Sequence, residues 1–278
     1  MGHDLLAIKV GVREMPPLLF SGVRFCLAGV ILTAYAALSG RRFPARADRG
    51  PLALAAALML GVANSILAWA LMRLPSGVAS LLVAITPLWL VLLARAGGER
   101  VTGRGWAGVA LGLAGVAVLS RPDRSGGLGP GSAAGVLAVI IGTGIWAWAS
   151  LYTKRRPHGS DPIGAVAFQK LVGGATAVSL GLLSGEGARW HPGPDGWLAL
   201  FYLTFAGSVI GFTAYTYALA HLPTERVAVY AYVNPVVAVS LGVLLAGERV
   251  DAGLLLGAPL VLAAVWLANG GVDAEPTS

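Results

Sequence analysis

The chain has 278 residues, 56% of them hydrophobic and only 12% charged, with a mean hydropathy of +0.74. Soluble domains carry about 25% charged residues, so half of the charge that holds a globular surface in water is missing, and lipid is the expected solvent. The net charge of +7 sits in short clusters between apolar runs, with no basic face to follow a phosphate backbone, and the one cysteine, Cys26, lies inside an apolar run, so a nucleic-acid binder and a disulfide framework are both excluded.

The first fifteen residues contain the apolar run Leu5–Val10, far too short to cross a bilayer. From there on, the rule of about 20 apolar residues per crossing predicts spans near 16–40, 51–73, 75–95, 104–120, 132–153, 161–184, 197–220, 223–246 and 252–270. Short breaks rich in Pro, Gly and Arg separate them, as at 41–50, 121–131 and 185–196. No stretch is long or polar enough for a separate soluble domain.

The chain then repeats itself. Leu74-Pro75, Pro87 and Gly98-Glu99-Arg100 recur as Leu222-Pro223, Pro235 and Gly247-Glu248-Arg249, with the prolines 148 positions apart. Trp69 answers Tyr217 upstream, and Gly108-x3-Gly112 loosely answers Gly253-x3-Gly257 downstream. Nearer the N-terminus, Pro16 and Arg24 correspond to Pro162 and Lys170 at a spacing of 146. A duplication of this size in an apolar chain is the mark of an inverted-repeat transporter. The expected fold is therefore an all-α membrane protein of five plus five helices, with residues 1–122 forming the first repeat and 132–271 the second, inverted one. Residues 272–278 remain as a short tail. On this register the first helix is a stub that lacks about three turns, which leaves nine full spans. If the chain starts inside, eleven loop arginines and lysines fall inside and six outside, so both termini are expected in the cytoplasm.

The landmarks Ala7-Ile8-Lys9, Pro16-Pro17, Arg24, Pro87…Gly98-Glu99-Arg100…Gly108…Gly112 and Asn234-Pro235…Gly247-Glu248-Arg249…Gly257 resemble the EamA family of the drug/metabolite transporter superfamily. The resemblance covers nearly the whole chain and rests on order and spacing. It implies a ten-helix, multi-pass inner-membrane carrier that exports amino acids or other small metabolites. Family members carry a Trp-Gly-x-Asn-Phe-like run in the first helix, and here Met1–Leu6 stands in its place.

Polar groups inside a membrane are costly, and in inverted-repeat carriers they gather at a midplane cavity. Asn64, Trp69, Trp146, Thr213, Tyr217 and Tyr232 are the expected lining, with aromatic faces for an apolar side chain and polar groups for the rest of the substrate. The bland reading of the same residues is helix packing. Arg24 and Lys170 are the cations that lie well inside spans. They either contact an anionic substrate group or snorkel to the interface. Pro87 and Asn234-Pro235 are candidate helix hinges, since a proline removes one backbone bond and frees a carbonyl. Trp148 and Tyr152 are expected as interfacial anchors. Glu99 and Glu248 are expected to cap or brace helix ends. All thirteen acids are read as lying in loops, at span ends or near the termini, so no intramembrane proton site is expected.

No paired-acid, nucleophile-base or metal-ligand spacing is present, so neither an enzyme nor a cofactor is expected. The expected partners are a small-molecule substrate and the lipid bilayer, with a homodimer left open. The alternative from another class is a non-transporting membrane protein, either a partner-binding subunit or a decayed carrier.

Overall fold

The structure, a computed structural model, describes residues 2–98, 100–119, 131–154, 161–211, 230–246, 250 and 252–268. Their regular structure is helical throughout. Helix α1 (Gly2–Glu14) is followed by α2 (Pro17–Leu38), then α3 (Arg46–Ala56), which passes through a π-helical turn (Ala57–Ala63) into α4 (Asn64–Leu71). Next come α5 (Ser76–Val83), α6 (Thr86–Ala96), α7 (Gly103–Leu119), α8 (Ser132–Lys154) and α9 (Pro162–Leu183). A 3₁₀ turn (Glu186–Arg189) leads to α10 (Pro194–Tyr202) and a second π-helical turn (Leu203–Gly211); α11 (Tyr230–Ala246) and α12 (Ala252–Ala268) close the order.

The helix ends follow from local chemistry. Proline opens α2, α9 and α10, where the missing N–H would have had no helical partner. Gly40 and Gly185, with φ of 66° and 77°, follow the last turns of α2 and α9 in the left-handed conformation that ends a helix at least cost in glycine. Five helical stretches are long and apolar enough to cross a membrane: Pro17–Leu38, Arg46–Leu71, Ser76–Ala96, Ser132–Thr153 and Pro162–Leu183. Two of these correct the sequence boundaries. The second begins at Arg46, five residues early, because Arg46, Asp48 and Arg49 fit a solvated first helical turn. The third is interrupted by a turn at Ala84–Ile85, ahead of Pro87, which stands in the first turn of α6. The expected spans 197–220 and 223–246 lie partly outside the described residues.

Two close pairings organise the bundle, α2 on α9 and α7 on α12. Around them α1 lies on α10, α8 on the helix through α3 and α4, α5 and α1 on α11, and α6 on α8. The α2–α9 contact is backbone on backbone. A Cβ on Gly22 would meet the Val178 nitrogen at 2.6 Å, and one on Gly174 would meet the Cys26 nitrogen at 2.6 Å. Gly29 likewise abuts Leu171, and Gly181 abuts Leu19. As the residue number rises along α2 its neighbour falls along α9, so the two helices run antiparallel. Small residues at such a crossing give helices in lipid their close van der Waals fit. The outside is apolar: Leu38, Leu183, Leu198, Ile210 and Leu244 are each at least 65% exposed, a surface that suits hydrocarbon and not water.

Candidate functional site

The polar centre of the bundle is built where α2 crosses α9. At 1.5 Å per residue, Arg24 lies about 5 Å from the middle of α2 and Lys170 about 4 Å from the middle of α9. Both side chains are buried, at 5% and 3% exposure. They do not snorkel. The Arg24 guanidinium carbon is 4.3 Å from the centre of the Phe25 ring, and the Lys170 Nζ is 4.4 Å from the same ring, so one aromatic side chain is shared by the two cations. Arg24 Nη2 donates to Asn64 Oδ1 at 3.1 Å. Arg24 Nε is buried with no hydrogen-bond partner among the described residues.

The counter-charge comes from a residue that the sequence reading counted among the acids near the termini. Asp4, near the N-terminus on α1, lies within electrostatic reach of both Arg24 and Lys170. It shares a helical face with Ile8 and Val12, each 4% exposed, because residues four apart stack along one side of a helix. Its carboxylate lies against Gly207 in the second π-helical turn, where an added Cβ would come 2.9 Å from Oδ1. Tyr202, one turn away, feels the same charge.

The two π-helical turns flank this centre. Asn64 follows directly on the first, and Gly207 lies within the second. The first packs on α9 through Gly173, whose Cβ would meet the Leu60 Cβ at 2.5 Å and the Ala56 oxygen at 2.9 Å. Ser65 Oγ donates to the Gly61 oxygen at 2.6 Å, which occupies a carbonyl of that turn. π-Helical turns are rare and concentrate at functional sites. Here they bring the amide of Asn64 and the glycine beside Asp4 to the two cations.

The other predicted lining residues are less centred. Trp69 stands in the last turn of α4 with the Arg73 guanidinium 3.6 Å from its ring centre, about 7.5 Å along the axis from Asn64. Trp146 is half-buried on α8. Thr213 and Tyr217 lie outside the described residues, as does the side chain of Tyr232; Asn234 and Pro235 lie in the second turn of α11. Thr143 is occupied structurally, donating to the Ile140 oxygen and accepting from Trp89 Nε1 at 3.2 Å. Trp148 stacks on Tyr152 at 5.2 Å and is 42% exposed.

Glu99 and Glu248 lie outside the described residues, and other acids do the capping. Glu186 is 2% exposed and accepts the Leu19 N–H at 2.9 Å, capping α2 from the far end of α9. Glu14 accepts the Gly196 N–H at the start of α10. Asp161 caps α9 through the N–H groups of Ile163 and Gly164 and pairs with Arg41 at 3.1 Å. Partial desolvation would raise the Asp161 carboxyl, but the Gly164 N–H, Arg41 and the Ile163 N–H together hold it below its ordinary carboxylate value.

A helical bundle clad in apolar side chains, with buried charge near its centre and π-turns beside that charge, is the architecture of a polytopic membrane transporter. The profile of the EamA-like transporter family matches residues 2–121 and again residues 133–270, and the chain belongs to this family. It is 35% identical to the "Uncharacterized inner membrane transporter YedA" of Escherichia coli K12 over 273 residues, covering 97% of this chain and 87% of that protein. It is 32% identical to a "Probable terminal-alkyne amino-acid exporter" of Streptantibioticus cattleyicolor, covering 95% and 87%. To a "Probable amino-acid metabolite efflux pump" of Escherichia coli K12 it is 28% identical, covering 96% and 90%. A crystal structure 24% identical in sequence superposes with a TM-score of 0.63, over 96% of this chain and 94% of that one, and shares the fold.

Proposed function

We propose that the chain is an inner-membrane carrier that exports small carboxylate-bearing metabolites, amino acids or close relatives, by alternating access around the Arg24–Lys170 centre. The observation that carries this reading is the buried pair of cations near mid-helix, both within reach of one acid, Asp4. An intramembrane cation costs about 3 kcal/mol even by insertion measurements, and two beside one ring repel each other as well. Such an arrangement persists where an anion completes it, and a substrate carboxylate would give each cation a counter-charge. The names of two relatives, an amino-acid metabolite efflux pump and an amino-acid exporter, agree with that substrate class.

Asn64 would share the carboxylate. Trp146, Thr213, Tyr217 and Tyr232 would face the remainder of the substrate, with Trp69 towards one end. The proposed mechanics is a five-plus-five inverted repeat, residues 1–122 and 132–271, with the C-terminal tail in the cytoplasm. Several features support it. The equivalent helices α2 and α9 run antiparallel, as do α7 and α12, where Gly115 abuts Val261 and Gly257 abuts Leu119. The π-turns begin at residues 57 and 203, the same 146-residue spacing that relates Arg24 to Lys170. The pairing of α1 on α10 has a counterpart in α8 on the α3–α4 helix, and that of α1 on α11 has one in α8 on α6. Pro87 and Asn234-Pro235 would let the fourth span and its counterpart bend as one half rocks against the other.

The test is efflux from proteoliposomes loaded with a panel of labelled amino acids, related carboxylates and the matching amines. Wild type should export at least one of them. Arg24→Gln and Lys170→Gln, at matched protein, should lower that export tenfold or more. Export of amines but not of carboxylates, or full export by both variants, would refute the reading.

A further inference from the structure

Asp4 differs from the rest of the centre in one respect: the duplication does not supply it. At the 146-residue spacing that relates Arg24 to Lys170, its counterpart on α8 is Ser150, whose Oγ lies 3.9 Å from the Met59 sulfur. The cations are present in both halves, but the carboxylate belongs to one half alone. The centre is therefore dipolar. Its positive end is the α2–α9 crossing, and its negative end is the junction of α1 with the second π-helical turn. Glycine at position 207 leaves the Asp4 carboxylate room at that junction. At the positive end, Arg24 is 5% exposed, and its Nε is a buried donor with no partner among the described residues.

A plain carboxylate would use only the positive end. An α-amino acid carries its carboxylate and its ammonium on the same carbon, so one molecule can meet both ends. We infer that Asp4 receives the ammonium group of an α-amino-acid substrate whose carboxylate lies on Arg24, Lys170 and Asn64, and that Asp4 thereby selects zwitterions over simple carboxylates. With such a substrate bound, every charge in the centre faces an opposite one. Asp4, which otherwise serves two cations, is turned towards a third. The inference rests on the anion site proposed above and adds the amino-group subsite to it. Removing a charge-assisted hydrogen bond of this kind weakens binding by about tenfold or more.

The experiment measures Kd, from ligand-dependent thermal unfolding of the purified full chain, for three matched pairs. These are phenylalanine with 3-phenylpropanoate, leucine with 4-methylpentanoate, and alanine with propanoate. In the pair that binds best, wild type should favour the amino acid at least tenfold over its des-amino partner. Asp4→Asn should bring that ratio to about one while the des-amino acid binds as well as before or better. Lys170→Gln should weaken both members. If Asp4→Asn does not accumulate, Gly207→Ala replaces it, since the new methyl would lie 2.9 Å from the Asp4 oxygen; it should lower the ratio in the same direction. An unchanged ratio in the variant used would overturn the inference and leave the anion site standing. Equal loss of both members in Asp4→Asn would also overturn it, because Asp4 would then only brace the cations. If no pair binds wild type, the anion site itself fails, and the inference with it.

Discussion

Replacing Gly174 by alanine tests the crossing on which the centre is built. The added Cβ would lie 2.6 Å from the Cys26 nitrogen, 2.7 Å from its sulfur and 2.9 Å from the Gly22 oxygen, where ordinary contacts begin at 3.4 Å. Two of these three atoms are backbone, so no rotamer change relieves them. Helices α2 and α9 must separate by about 0.8 Å, which loosens the contacts at Gly22 and Gly181 as well. Overpacking of this kind costs about 1–3 kcal/mol. At ~2–4 °C per kcal/mol for a chain of this size, the unfolding midpoint in detergent should fall by about 2–12 °C. Arg24 and Lys170 ride on the same two helices, so export per folded molecule should fall too. Gly103→Ala is the control: nothing lies within 4 Å of its Cβ, and it should stay within about 0.5 kcal/mol of wild type. A Gly174→Ala protein that melts with wild type would refute the backbone-on-backbone crossing.

Three further outcomes follow from the caps and the charge pattern. Glu186→Ala should cost about 1–3 kcal/mol because it leaves the Leu19 N–H buried without an acceptor; Glu186→Gln keeps an acceptor and should cost less, and equal melting of the three proteins would remove the cap from the account. Asp161 has its folded carboxyl held low, so its contribution is present above the unfolded carboxylate value of about 4 and is lost as pH falls through the lower folded value. Asp161→Asn should therefore narrow the gap between melting at neutral and at acid pH, and a gap identical to that of wild type would contradict this. A reporter fused after Asp273 should signal from the cytoplasm; a periplasmic signal would reverse the proposed orientation.

Much of the centre was legible in the sequence. Arg24 and Lys170 stand at equivalent places in a duplication, inside runs where charge is expensive, and that alone marked them. Asn64 was marked by the same cost. Asp4 was missed because the apolar run after it is too short to read as a span. Helical spacing from Asp4 to Ile8 and Val12 was the available signal, since it sets the carboxylate on the face that α1 buries. Phe25 could not be singled out among apolar neighbours, because its role depends on two cations arriving from different helices. The π-helical turns carry no residue signature; they lie against α9 and α2, helices far from them in sequence. Glu186 read as a loop acid because its partner, the Leu19 N–H, is 167 positions away.

Binding of the exported amino acid to purified wild type and to Lys170→Gln tests the central claim most directly, with folding matched by melting temperature and the decarboxylated amine as comparison ligand. The account predicts that Lys170→Gln weakens the amino acid tenfold or more, and that the amine binds wild type no better than it binds the variant. Equal affinity of the two proteins for the amino acid would contradict a carboxylate held between Arg24 and Lys170.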